Sequence, residues 1–117
     1  MPAWPWWIPL GNVPEIAPQE LAARLRGRAA PQLLDVRTRA EWERGHIAGS
    51  LNVPIQELPA RVATLALTRE RPVVAICLSG HRSIPAVRML TRQRYADVRQ
   101  LRGGMLAWRR SGLEEER

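Results

Sequence analysis

The chain is organised around one apolar stretch that leads directly into its single cysteine. Residues 73–76 are all apolar and three of them are β-branched, which favours a buried strand. Cys77 follows at once, and Gly80 and Arg82 precede a segment of helical spacing that begins at Ser83. A glycine in so short a connection permits a tight turn. The sequence therefore predicts a strand, a tight loop and a helix start, with the thiol at the bottom of the loop.

Segments with strand and helix patterns alternate along the rest of the chain. Strands are predicted at 15–16, 32–36, 51–53, 73–76 and 98–101, and helical segments at 18–25, 39–44, 55–67, 83–92 and 105–110. Pro59 is expected to interrupt the third helical segment. This alternation is typical of an α/β domain with a parallel sheet covered by helices on both faces. In such sheets, sites form at the carboxyl ends of strands, where Cys77 lies.

The chain divides into an arm, one domain and a tail. Residues 1–14 carry four of the ten prolines and three of the five tryptophans, a density that prevents a regular helix. We expect these tryptophans to lie on the domain, and the open alternative is an arm that docks a partner or a membrane surface. Residues 15–112 are long enough for a single core. Residues 113–117 form a charged tail, which we expect to be frayed.

Composition excludes several classes of protein. No apolar run approaches the roughly 20 residues that cross a bilayer, and the first residues lack the features of a signal peptide. We therefore expect a cytoplasmic protein without membrane insertion. All 18 basic residues are arginines and the net charge is +7, but the arginines are scattered and aromatic residues are not interleaved with them along a strand. This patterning predicts no nucleic-acid binding and favours a solvated surface that attracts anionic substrates.

The loop after the central strand is suited to a negative charge on sulfur. The thiolate is the reactive form of cysteine. Successive N–H groups of a tight loop converge on an anion, and a helix that begins near Ser83, the expected cap residue, adds the positive end of its dipole. Arg82 keeps its charge, and its fork suits a sulfonyl or phosphoryl group. We therefore expect Cys77 to be a nucleophile rather than an inert buried thiol.

Three segments resemble signatures of the rhodanese (sulfurtransferase) family, and together they span about residues 15–110. The segments are Leu34-Asp35-Val36-Arg37 with Glu41-Trp42 and the run from Gly45 to Pro54, then the six-residue loop from Cys77 to Arg82, and then the run from Gly103 to Trp108. All three occur in order and at suitable distances. The resemblance implies a five-stranded parallel sheet flanked by helices on both faces.

The resemblance also implies a reaction. Cys77 would take the outer sulfur of a small-molecule donor such as thiosulfate, hold it as a persulfide and pass it to cyanide or a thiol. A protein acceptor is also possible, and because there is no second cysteine the acceptor comes from outside the chain. No cofactor and no metal are implied. The substrate-binding residues would be those of the loop and the following helix start: Leu78, Ser79, Gly80, His81, Arg82 and Ser83.

Two details of the loop bear on its substrate. Four residues separate Cys77 from Arg82. The corresponding loops of related cysteine phosphatases and arsenate reductases have five intervening residues, and the shorter loop suits a single sulfur atom. Leu78 stands where members that favour thiosulfate often carry a basic or polar residue, so a persulfidated small thiol or protein is an equal candidate donor. His81 either adds charge beside the donor or faces solvent. The alternative function is a non-catalytic rhodanese-like module that binds a partner or carries sulfur.

Other polar residues are expected to support the fold. Asp35 and Arg37 would form a pair that holds neighbouring loops and braces the site. His46 is expected to make a structural hydrogen bond, because two histidines and one cysteine far apart in sequence are no metal-site signature. Glu41, three residues after Thr38, forms a capping box and is otherwise expected to be a charge on the helix face.

Overall fold

The computed structural model describes residues 5–117, and among them strands and helices alternate along the chain. The strands are β1 (Glu15–Ile16), β2 (Gln32–Asp35), β3 (Leu51–Asn52), β4 (Val73–Ile76) and β5 (Val98–Leu101). The helices are α1 (Pro18–Leu25), α2 (Arg39–Arg44), α3 (Leu58–Arg61), α4 (Ser83–Arg92) and α5 (Gly104–Arg110), and a 3₁₀ helix at Val62–Thr64 follows α3. The alternation predicted from the sequence is therefore confirmed.

The five strands form one parallel sheet in the order β1-β5-β4-β2-β3. Strand β4 lies at its centre, between β5 and β2. Asp35 at the end of β2 pairs with Ile76 at the end of β4, so the two strands finish at the same level. Cys77 consequently lies just beyond the carboxyl edge of the sheet, and the predicted α/β architecture is confirmed.

The sheet buries both of its faces. Successive side chains of a strand point to opposite faces, and in β4 Val73 and Ala75 join one core cluster while Val74 and Ile76 join the other. Helix α4 supplies the first cluster with Ala86, Val87 and Leu90, whereas α1 and α5 supply the second with Leu21, Met105 and Trp108. Each large side chain buried in this way stabilises the fold by about 1.5–3 kcal/mol.

Two helix starts show how local sequence determines the elements around the site. At the start of α2 the Glu41 N–H donates to the Thr38 hydroxyl at 3.2 Å, and the Thr38 N–H donates to the Glu41 carboxylate at 3.0 Å, which is the predicted capping box. The expectation that Pro59 interrupts a helix is wrong. Pro59 lies in the first turn of α3, where a missing N–H removes no intrahelical bond.

The carboxyl-terminal tail is docked, so the expectation of a frayed tail is wrong. Glu116 and His46 exchange two backbone hydrogen bonds of 2.7 and 2.8 Å in an antiparallel bridge. The Trp108 indole donates to the Glu114 carbonyl at 2.9 Å. Arg109 binds the carboxylate of Glu115 with two bonds of 2.8 and 2.9 Å. Backbone pairing and a bond from a buried indole therefore hold the tail in place, although its charged residues are exposed.

The described part of the amino-terminal arm lies along α4. Trp6 is partly buried against the first core cluster, and the Arg88 guanidinium of α4 donates to the Ile8 carbonyl at 2.7 Å. Trp7 does not follow the expectation, because 61% of it is exposed. Trp4 lies outside the described residues. No helix among residues 5–117 is long and apolar enough to cross a bilayer.

Candidate active site

Cys77 lies at the bottom of the loop between β4 and α4. Its side chain is only 1% exposed. The Gly80 N–H donates to Cys77 Sγ at 2.9 Å, and Gly80 has a φ of +98°, a conformation that favours glycine. The Ser83 hydroxyl oxygen also lies 3.3 Å from Sγ. The sulfur is therefore held between a loop amide and the start of α4.

The other amides of the loop are open. Among residues 5–117, no atom accepts a hydrogen bond from the N–H groups of Leu78, Ser79, His81 or Arg82. Such unpaired N–H groups favour an anion. The Leu78 side chain packs against the second core cluster, and His81 is exposed with its Nδ1 3.1 Å from the Ser79 hydroxyl. The loop therefore presents mainly backbone donors.

Arg82 ends the loop and forms a two-pronged ion pair with Glu41 of α2. Its Nη1 and Nη2 donate to Oε1 and Oε2 of Glu41 at 2.7 and 2.9 Å. The hydrogen bond from Arg82 lowers the pKa of Glu41 from 4.5 to about 2, and the same bond raises the pKa of Arg82. Glu41 is thus more than the helix-face charge expected from the sequence. It holds the Arg82 guanidinium, which the sequence predicts to bind the sulfur donor.

The start of α5 holds the other side of the loop. The Met105 and Leu106 N–H groups donate to the carbonyls of Cys77 and Leu78 at 2.8 and 3.0 Å. Gly104 has a φ of +60°, and a Cβ at this position would overlap the Cys77 carbonyl and the backbone of Leu78. Two backbones approach here as closely as only glycine allows. The glycine at the start of α5, which belongs to the third signature segment, therefore positions the cysteine loop.

Asp35 and Arg37 form a buried ion pair beside the site, with 0% and 1% of the residues exposed. The Arg37 guanidinium makes three bonds to the Asp35 carboxylate, at 2.8 to 3.2 Å, and donates to the Gly45 carbonyl at 2.7 Å. The Asn52 amide donates to the carbonyls of both residues at 3.1 and 2.9 Å. The pair joins the ends of β2, α2 and β3, and neither member hydrogen-bonds Cys77. The pair therefore connects the loops that follow these three elements.

A polar chain runs behind the cysteine, buried at Ser83 and Gln100 and exposed at Glu15. The Ser83 hydroxyl donates to Gln100 Oε1 at 2.6 Å, and Gln100 Nε2 donates to the Glu15 carboxylate at 2.8 Å. The expectation that Ser83 caps α4 is wrong, because Arg82 is the cap residue and Ser83 is the first helical residue with no cap bond. Ser83 is 0% exposed, so it faces the back of Cys77 rather than the mouth of the loop.

The family model of the rhodanese-like domain matches residues 17–111. The chain belongs to the rhodanese-like domain family. A relative named sulfurtransferase from Allochromatium vinosum is 40% identical over 101 residues, which cover 86% of this chain and 92% of the relative. The thiosulfate sulfurtransferase GlpE of Stutzerimonas stutzeri is 33% identical over 92 residues, which cover 79% of this chain and 82% of that protein.

Solved structures agree with this assignment. A rhodanese-related protein of Thermoplasma volcanium superposes with a TM-score of 0.79 at 30% identity, over 89% of this chain and 98% of that one. In some other curated relatives the rhodanese-like domain is part of a longer protein, of which this chain spans 41% in one case and 24% in another. The family and the fold implied by the three sequence signatures are both confirmed.

The rhodanese signatures located the loop but not all of its supports. Gln100 and Glu15 lie in strands whose alternating pattern gives no hint of a polar chain, and Glu41 is 41 residues from its partner Arg82.

His46 makes the expected structural bond, because its Nδ1 lies 2.7 Å from the Trp42 carbonyl and its ring stacks on the Trp42 indole at 3.8 Å. Among the described residues, no group of three or more histidine, cysteine or acidic side chains could hold a metal ion.

The Glu41–Arg82 ion pair predicts how stability depends on acid. A carboxyl group whose pKa falls from 4.5 to about 2 on folding stabilises the native state above pH 4.5, and this stabilisation is lost as the pH falls towards 2. We expect Glu41→Gln to lower the free energy of unfolding by about 2 kcal/mol at pH 7, since the pair is partly solvated. The difference should shrink below pH 3 in urea unfolding. Glu57→Gln removes an exposed pair with Arg61 and should change little; equal effects of the two substitutions at pH 7 would contradict the prediction.

Proposed function

We propose that this rhodanese-like domain is a sulfurtransferase in which Cys77 carries the transferred sulfur as a persulfide. The observation that supports this most is the loop, where the Gly80 N–H donates to Sγ at 2.9 Å and the neighbouring N–H groups are open. These donors favour the thiolate that attacks and the terminal sulfur anion that results. The relatives named sulfurtransferase support the same activity.

The proposed reaction has two displacements. The Cys77 thiolate attacks the outer sulfur of thiosulfate, a new S–S bond forms, and the old S–S bond breaks with its electron pair leaving on sulfite. With a persulfide donor the leaving group is the parent thiolate. Cyanide or an external thiolate then attacks the outer sulfur, and the electron pair returns to Sγ. No net oxidant is required, and the mechanism is covalent and ping-pong.

The surroundings of the loop bear on the donor. Leu78 turns its side chain into the core, and the Arg82 fork is bound to Glu41, so an anionic donor competes with a carboxylate for this cation. Arg82 is 32% exposed and keeps N–H groups that Glu41 does not use. We propose that Arg82 orients the donor through these groups, and that both thiosulfate and persulfidated thiols are substrates.

A second candidate function is a partner-binding or sulfur-carrier module, and the exposed arm favours it. Trp7 and Leu10 are 61% and 56% exposed, and the arm borders a cavity of about 440 Å³ that Gly80 and His81 also line. Large exposed apolar side chains of this kind mark surfaces for other proteins. The same arm would also bind a protein that accepts sulfur from Cys77. The two candidate functions therefore use the same binding surface and differ in whether Cys77 reacts.

Intact-mass measurement after incubation with thiosulfate or a persulfidated small thiol separates a domain that takes up sulfur on Cys77 from a module that only binds a partner. We expect an adduct of one sulfur atom that is lost on addition of cyanide, with thiocyanate as the product. Cys77→Ser should show no adduct, because the chain has no other thiol. If no donor of either class gives an adduct, the sulfurtransferase is excluded and the partner-binding module remains.

A further inference from the structure

The polar chain behind Cys77 has a fixed direction. Glu15 presents an ionised carboxylate, which only accepts hydrogen bonds, so Gln100 must turn its NH₂ group towards it. The Gln100 carbonyl oxygen then faces Ser83, and it also only accepts. The one hydroxyl proton of Ser83 is therefore used in the 2.6 Å bond to Gln100, and the side of the hydroxyl that faces Sγ at 3.3 Å is a lone pair.

We infer that Gln100 is a positioning residue that withholds the Ser83 proton from Cys77. Behind the sulfur, Ser83 can accept a bond from the thiol but cannot donate one to the thiolate. The negative charge is therefore stabilised from the loop side, where Gly80 donates at 2.9 Å and the other amides are open. The role of Gln100 in catalysis rests on the proposed sulfurtransferase function, whereas the position of the Ser83 proton does not depend on that function.

This arrangement suits a sulfur that must attack and then leave. A hydrogen bond donated to a thiolate stabilises the anion but lowers its nucleophilicity, since nucleophilicity falls as basicity falls. With Ser83 turned away, one fewer donor must be displaced when Sγ attacks the donor sulfur. In the persulfide the charge lies on the terminal sulfur, and the free loop amides are the donors available to it. Ser83 donates no hydrogen bond to Sγ at this stage.

Several charged groups surround the loop and could also influence the pH dependence of Cys77 alkylation. Arg82 and His81 belong to the loop, and Glu41 of α2 faces Arg82. The buried pair of Asp35 and Arg37 lies at the end of β2, and beyond Gln100 the carboxylate of Glu15 also binds Arg102 at 3.3 Å. Gln100→Met removes the hydrogen bond that Glu15 accepts from Gln100, but it does so with and without the Ser83 hydroxyl, so this change cancels when the two backgrounds are compared.

The test is the rate of Cys77 alkylation by iodoacetamide as a function of pH. Gln100→Met removes the acceptor for the Ser83 proton, and the hydroxyl can then donate to the thiolate. We expect the midpoint of the pH–rate curve to fall by about one pH unit, the effect of one hydrogen bond to a charged group. The plateau rate at high pH should fall about threefold, because a better-stabilised thiolate is a poorer nucleophile. Gln100→Leu provides a second packing solution if Gln100→Met does not fold.

The decisive control is the same substitution without the hydroxyl. In a Ser83→Ala background, Gln100→Met should move neither the midpoint nor the plateau, because the effect acts through the Ser83 proton. A shift of equal size in both backgrounds would overturn the proposal and assign the effect to the Gln100 dipole or to repacking. An unchanged midpoint in Gln100→Met would also overturn it. The alkylation assay uses no sulfur donor. An unexpected result in it can therefore be distinguished from an absence of sulfurtransferase activity.

Discussion

Gly104→Ala should destabilise the domain by about 3 kcal/mol and displace the cysteine loop. The φ of +60° costs a residue with a Cβ about 1 kcal/mol or more. The added methyl also overlaps the backbone of Cys77 and Leu78, which cannot rotate away as a side chain would, and overpacking of this kind costs about 1–3 kcal/mol. Because Met105 and Leu106 bind the carbonyls of these same two residues, the strain falls on the loop itself.

Gly112→Ala is the matched control for this substitution. Gly112 has a φ of +72°, but a Cβ there would meet no atom within 4 Å, so only the backbone cost of about 1 kcal/mol applies. Urea unfolding of both variants measures the difference, and the sulfur adduct on Cys77 reports on the loop. Gly112→Ala should keep the adduct and Gly104→Ala should lose most of it. Equal stability losses, or a normal adduct in Gly104→Ala, would show that the loop does not depend on this close approach.

The sequence predicted the elements well where local patterns determine them. The bounds of α1, α2, α4 and β5 agree with the structure, because a proline in the first turn, a capping box and apolar periodicity all act within a few residues. Cys77 was recognisable for the same reason, since its strand, loop and helix are contiguous. The position of Pro59 is not evident from the sequence, because a proline within a helix and a proline in its first turn lie in the same local pattern.

What the sequence did not reveal depends on partners far apart along the chain. Arg82 is separated from Glu41 by 41 residues, and Gln100 from Glu15 by 85 residues. Such pairs form only when the sheet order brings β1 beside β5 and α2 beside the loop, and neither periodicity nor spacing records that order. The docked tail follows the same rule, since Glu116 finds its backbone partner His46 across the fold. The thiol was therefore predictable, whereas the groups that orient it were not.

Asp35→Leu should have the largest effect on stability among the residues around the site. Arg37 is 1% exposed. Without the Asp35 carboxylate its charge would remain buried, and the Gly45 carbonyl would be the remaining acceptor for its guanidinium. Removing one member of a buried pair costs about 3–5 kcal/mol, because the partner is left uncompensated. For a domain of this size such a loss is a large fraction of the total stability. Chemical unfolding at pH 7 measures it directly.

The double variant Asp35→Leu/Arg37→Met separates an uncompensated charge from a general loss of packing. With both charges gone, the desolvation cost disappears, so the double variant should be more stable than Asp35→Leu alone by at least about 2 kcal/mol. Glu115→Ala, which breaks the exposed pair with Arg109, should cost less than about 1 kcal/mol. Because neither Asp35 nor Arg37 hydrogen-bonds Cys77, the folded double variant should still form the sulfur adduct. A stable double variant that formed no adduct would instead place this pair in the chemistry. A double variant no more stable than Asp35→Leu would show that the charges do not act as a pair.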